Sequence, residues 1–243
     1  MLGVSRDGDV VVLELQREER RNALNLELCD ALRAAVDEAV GEGAAAGGAR
    51  AIVVTGAGSA FCSGADLGGV YGDDFLKALY GMLHRLTQVP VPLVAAVNGP
   101  AIGAGTQLAR ACDLRVADAT ARFAVPTPRN GMAVDAWTMR TLADLAGTGR
   151  ARRLLLGADA LDRDEALTCG LADRAGTLDD ALAWAHEIAA LAPLTLAFNK
   201  QVLNSVLADD AIEQGFRDVW ASEDVREGAL ARTERRTPVF RGL

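Results

Sequence analysis

From residue 10 to about residue 126, short β-branched runs alternate with amphipathic stretches. "VVVLEL" (Val10–Leu15) has the composition of a strand, and "NLELCDALRAAVDEAV" then sets Leu28, Leu32, Ala35, Val36 and Ala39 on one helical face. "AIVVTG" (Ala51–Gly56) is an almost unbroken apolar run, the pattern of a strand buried on both sides. "DDFLKALYGMLHRL" predicts a helix with Phe75, Leu79, Met82 and Leu86 inward; "PLVAAVNG" is a third strand, and "DLRVA" and "ARFAV" are two more. Strands alternating with helices predict an α/β fold built from crossover connections. After residue 135 the strand signal largely disappears, and helices are expected around 137–145, 150–156, 178–191, 194–207 and 211–230. The division that follows is an α/β core over residues 1–190 and a helical region over 191–243. The tract "GEGAAAGGA" (41–49) reads as a surface loop.

Composition narrows the class without naming a chemistry. The 243 residues are half apolar and about a quarter charged, with a net charge of −8 that is scattered rather than blocked. Phosphate binding needs a cationic face, so a nucleic-acid partner is not expected. Only Lys77 and Lys200 are lysines among 25 basic residues, which with the abundant alanine points to a high-GC bacterial genome. Four widely spaced cysteines and two histidines, His84 and His186, suggest neither a metal site nor a disulfide framework, and Cys62 reads as a small buried apolar thiol. The N-terminal "MLGVSRDGDV" has no basic region leading into an apolar one, and the apolar run 89–105 is interrupted by Pro90, Pro92 and Pro100. No export signal and no membrane span are expected, and the location expected is cytoplasmic.

Two glycine-containing turns follow buried strands and precede helices. One is "TGAGSAFCSGADLGG" (55–69) and the other is "NGPAIGAGTQLARACD" (98–113). Glycine lets a backbone approach a ligand closely, and a helix N-terminus offers unpaired N–H groups. The dinucleotide-binding fingerprint fits poorly, because Gly103-Ala104-Gly105 lacks the third spaced glycine, and the first turn has no phosphate-loop lysine. Two such turns at neighbouring strand ends instead suit the paired N–H donors of an oxyanion hole.

Four stretches carry a family resemblance: "RNALN" (21–25), "FCSGADL" (61–67), "PLVAAVNGPAIGAGTQLARACDLRVA" (92–117) and the closing "RTPVFRG". In order and spacing they resemble the crotonase, or enoyl-CoA hydratase/isomerase, superfamily over nearly the whole chain. The resemblance implies a spiral of βαβ repeats, with the C-terminal helices building a homotrimer or a dimer of trimers. It also implies a fatty acyl-CoA thioester as ligand, with no separate cofactor and no metal. The thioester oxygen would be held by the backbone N–H groups of Ala65 and Ala104. Ala23 and Leu24 would lie near the adenine, and Asp66, Leu67 and Gly68 would line the coenzyme channel. Gly103 and Gly105 would frame the second turn, whose helix adds its positive dipole end.

The departures sharpen this expectation. Hydratases of the family carry two glutamates where this sequence has Gln107 and Thr127, and neither an amide nor a hydroxyl is a useful acid or base near neutral pH. In this the chain most resembles a mycobacterial subgroup of hydratase homologues associated with long-chain acyl-CoA binding. Asp135 falls where some isomerases of the superfamily place a catalytic aspartate, yet "DAWT" also reads as a helix N-cap. Two readings stay open: an acyl-CoA binder with weak or absent hydratase activity, or an enoyl- or dienoyl-CoA isomerase with Asp135 as base. Tyr71, Phe75, Leu79, Leu83 and Trp137 either line an acyl tunnel or pack in the core. No chemistry is assigned to His84 or His186.

Overall fold

The computed structural model describes residues 1–41, 43–68 and 72–243. Its main sheet runs in the order β1-β2-β3-β4-β6-β9: β1 (Leu2–Asp7), β2 (Val10–Leu15), β3 (Ala51–Gly56), β4 (Leu93–Val97), β6 (Leu114–Ala117) and β9 (Arg174–Ala175). β1 and β2 form an antiparallel hairpin turned at Gly8, whose φ is +58°, and the strands from β2 onward are parallel. A second, three-stranded sheet is β5 (Pro100–Ile102), β7 (Arg122–Ala124) and β8 (Ala160–Asp162).

Alternation along the parallel strands sorts their side chains between two apolar layers, as the period of two requires. Ile52, Val54, Leu93, Ala95 and Val97 face α1 (Leu26–Val40) and α2 (Asp73–Gln88). Ala51, Val53, Val94 and Ala96 face α7 (Leu178–Ala189), which buries Ala181, Ala185 and Ile188 against them. The expected inward faces of α1 and α2 are buried as read. Asn25 caps α1 by accepting the Leu28 N–H at 2.9 Å.

The second half is less regular than its sequence suggests. α4 (Ala136–Ala146), α5 (Thr148–Leu155) and α8 (Pro193–Leu203) lie where helices are expected. The expected helix over 211–230 is two, α9 (Asp209–Ala221) and α10 (Glu223–Glu234). Ser222 ends the first and caps the second by accepting the Val225 N–H. α6 (Arg163–Cys169), with a capping box between Asp162 and Glu165, and the short strands β8 and β9 also arise here. Among the described residues no single helix is long and apolar enough to cross a membrane.

Lys200 joins α8 to the core. Its ammonium, 6 % exposed, donates to the carbonyls of Leu86 and Val91 at 2.9 Å each and pairs with Asp113 at 2.8 Å. Removing one partner of a buried pair strands the other. The variant Lys200→Met is expected to lose about 3 kcal/mol of unfolding free energy, read from the urea midpoint at unchanged slope.

Candidate active site

Both glycine turns sit at the carboxyl ends of adjacent parallel strands, β3 and β4, the edge at which open α/β sheets hold ligands. A short parallel bridge joins them, in which Cys62 N–H donates to Pro100 O at 3.1 Å and Ile102 N–H to Cys62 O at 2.9 Å. Glycine is required at the junction. A Cβ on Gly105 would fall well inside contact with Cys62 O and 3.0 Å from Cys62 Cβ. Gly64, with φ of +107°, would bring one within 2.8 Å of Ile102 O. Burial pushes the Cys62 thiol up to about 12, so it stays protonated and inert.

Side chains remote in sequence hold this junction. Asn22, fully buried and at φ +58°, donates its amide to the carbonyls of Ala57 at 2.9 Å and Ala60 at 2.8 Å and accepts the Arg17 N–H. Asn98 donates to Gly56 O at 2.7 Å and Gly58 O at 3.0 Å. The Thr106 hydroxyl lies 2.6 Å from Ala101 O and accepts the Ala124 N–H, fastening the second turn to β7.

The turns enclose a cavity of about 140 Å³ whose walls include Ala65, Ala104, Gln107, Tyr80, Thr127 and Phe75. Leu67, Leu79 and Gly103 also reach it. Among the described residues the backbone N–H groups of Ala65 and Ala104 have no acceptor. Ala104 opens α3 (Ala104–Ala111), so its N–H is one of those a helix leaves unused. No carboxylate, imidazole, ammonium or guanidinium lines the cavity among the described residues; the one ionisable group is Tyr80, whose phenol is raised by burial.

Gln107 is 4 % exposed, and its Oε1 accepts the Thr138 hydroxyl at 3.1 Å. That leaves the amide Nε2, which has no acceptor among the described residues, as the group's remaining donor. Asp135 caps α4, its Oδ1 accepting the Thr138 N–H at 3.0 Å, and its own N–H donates to Tyr80 Oη at 3.2 Å. The Asp135 side chain is not part of the cavity wall. Nor is Trp137, whose ring instead packs against two groups: the Arg110 guanidinium, 3.8 Å from its centroid, and the His84 ring at 4.5 Å. Leu83 is fully buried in the core, and Tyr71 lies outside the described residues.

A groove of about 670 Å³ shares Phe75 with the cavity and includes Arg20, Asn25, Asp66 and Gly68. Arg17 pairs with Asp66 at 3.0 Å, and this hydrogen bond holds the Asp66 carboxyl below its usual range. Ala23 and Leu24 are buried, and Leu24 acts through its backbone: it donates to Gly64 O and accepts the Asp66 N–H, each at 2.7 Å. His186 pairs with Asp7 at 2.9 Å on the exposed surface, away from the cavity.

Comparison with known proteins places these features in a family context. The family described as enoyl-CoA hydratase/isomerase matches residues 5–242. The "Probable enoyl-CoA hydratase echA6" of Mycobacterium tuberculosis is 48 % identical over 250 residues, covering 100 % of both chains. The short-chain-enoyl-CoA hydratase of Clostridium acetobutylicum is 30 % identical, covering 96 % of this chain and 94 % of its own. Among solved structures, the enoyl-CoA hydratase from Bacillus anthracis superposes with a TM-score of 0.89 at 28 % identity, covering 100 % of this chain and 99 % of that one. The crotonase fold is therefore that of the whole chain.

The close approach at Gly105 gives a direct test. Gly105→Ala is expected to lower the thermal midpoint by several degrees, because the new Cβ and the Cys62 carbonyl cannot both keep their places; Gly68→Ala, where the nearest atom is 3.6 Å away, should leave it unchanged.

Proposed function

Because the chain belongs to the enoyl-CoA hydratase/isomerase family, we propose that it binds fatty acyl-CoA thioesters and has weak or absent hydratase activity on their 2-enoyl forms. The observation that carries this reading is a cavity that has, among the described residues, two unused backbone N–H groups and no carboxylate in its wall. The thioester carbonyl takes its place between Ala65 and Ala104, and the coenzyme lies along the groove beside Asp66 and Gly68. Each N–H aimed at an oxygen that gains charge lowers a barrier by about 3 kcal/mol in a dry site, so the means to stabilise an enolate is present.

Hydration asks for more. Water must lose a proton as it attacks the β-carbon, and the α-carbon must gain one, so a titratable group has to face each. Gln107 is held by Thr138 and offers an amide, and Thr127 offers a hydroxyl. Gln107 positions an acceptor on the acyl group through Nε2 but cannot take up a proton. The second reading, an isomerase with Asp135 as base, needs that carboxylate to leave its cap on α4 and reach the α-carbon.

The expected outcome with the wild-type protein is saturable binding of acyl-CoA in calorimetry with little or no turnover of 2-enoyl-CoA. The double variant Gln107→Glu/Thr127→Glu should gain hydration, read from loss of the enoyl absorbance. Turnover of 3-enoyl-CoA that Asp135→Asn abolishes would favour the isomerase, and absence of acyl-CoA binding at every chain length would overturn both.

We also propose that α8 and α9 carry a contact between copies in a trimer or a dimer of trimers. Phe198, Phe216 and Trp220 form an aromatic row with centroids 6.4 and 6.1 Å apart, and Phe216 and Trp220 are 54 % and 64 % exposed. Exposed rings in a row are what an interface covers. Phe216→Glu/Trp220→Glu should move the protein to a smaller species in sedimentation velocity.

A further inference from the structure

A second cavity, of about 570 Å³, opens at the C-terminal end of α3, between that helix, α4 and the α7–α8 junction. Gln107 faces the smaller cavity and Arg110, one helical turn on, faces this one. Its walls are mostly aliphatic, with Leu145, Ile188, Leu191 and Leu196 among them, and its size is that of a small-molecule site.

Three cations border it, and two are fully engaged. Arg115 donates to the carbonyls of Leu171 at 2.7 Å, Cys112 at 2.8 Å and Asp113 at 3.2 Å, and pairs with Asp173 at 3.1 Å. Lys200 holds two carbonyls and the Asp113 carboxylate. Arg110 differs from both. It is 8 % exposed, and among the described residues its Nε and Nη1 are buried with no hydrogen-bond partner; the face of Trp137 stacks on it, and the carboxylates of Asp135 and Asp144 act on it through space without a hydrogen bond. Asp144, the remaining carboxylate of the wall, is exposed to solvent and makes no ion pair among the described residues. Burial lowers the Arg110 guanidinium to about 10, which leaves it charged at neutral pH.

A buried cation without an acceptor is costly, and the cost is relieved by an anion that brings its own apolar body. We propose that this cavity binds an alkyl carboxylate, its carboxylate on Arg110 and its chain along Leu145, Ile188 and Leu196, independently of the Ala65/Ala104 site. Guanidinium and carboxylate match in charge and in planar geometry, and the aliphatic wall selects an amphiphile over a small hydrophilic anion.

Octanoate and 1-octanol, titrated into the full-length protein by calorimetry, separate head-group recognition from burial of the chain. Octanoate should bind at least tenfold more tightly than octanol, Arg110→Met should remove that advantage, and Thr127→Trp, which fills the smaller cavity, should leave octanoate binding unchanged. Equal binding of octanoate and octanol to the wild-type protein overturns the proposal without reliance on any variant. Octanoate binding lost in Thr127→Trp, or retained in full by a folded Arg110→Met, overturns it as well.

Discussion

The joining of two loops through Cys62 and Ala101 is the constraint on which the rest of the site depends. Parallel strands deliver their turns side by side, and here the bridge draws the two backbones together until they nearly touch. Gly105 permits that approach, and Asn22, Asn98 and Thr106 satisfy the carbonyls that the irregular loops would otherwise bury unpaired. These side chains fix the distance between the two turns.

Much of this architecture is legible in the sequence because the elements that carry it are long and periodic. β2, β3, β4, α1 and α2 bury the faces that their spacing assigns. β1 lacks an apolar alternation, because most of its side chains are exposed, and β5, β8 and β9 are two or three residues long, too short for any period. The break between α9 and α10 rests on one serine that reads as an ordinary helix residue until its cap is seen. In each case the missing information lies in hydrogen bonding rather than in hydropathy.

The site divides in the same way. The positions of Ala65, Ala104, Gln107 and Thr127 follow from motifs, and all four line one cavity. The contacts that define what those residues offer do not follow from motifs, since Thr138 meets Gln107 across 31 positions and Tyr80 meets Asp135 across 55. "DAWT" signals a helix cap, and Asp135 does cap α4, yet nothing in those letters tells that Trp137 covers a guanidinium. Asn22 also left a trace in the sequence: asparagine tolerates the left-handed backbone that a tight loop demands.

The hydrogen bond between Thr138 and Gln107 bears on how such a protein changes over generations. Glutamine and glutamate have nearly the same shape and are one codon base apart, and a threonine hydroxyl donates equally well to an amide or a carboxylate oxygen. A lineage can therefore cross between the two at position 107 without repacking α3 against α4. Position 127 is different, because threonine is shorter than glutamate and at least two bases removed from it. Of these two positions in the cavity, the first is a reversible switch and the second is a ratchet.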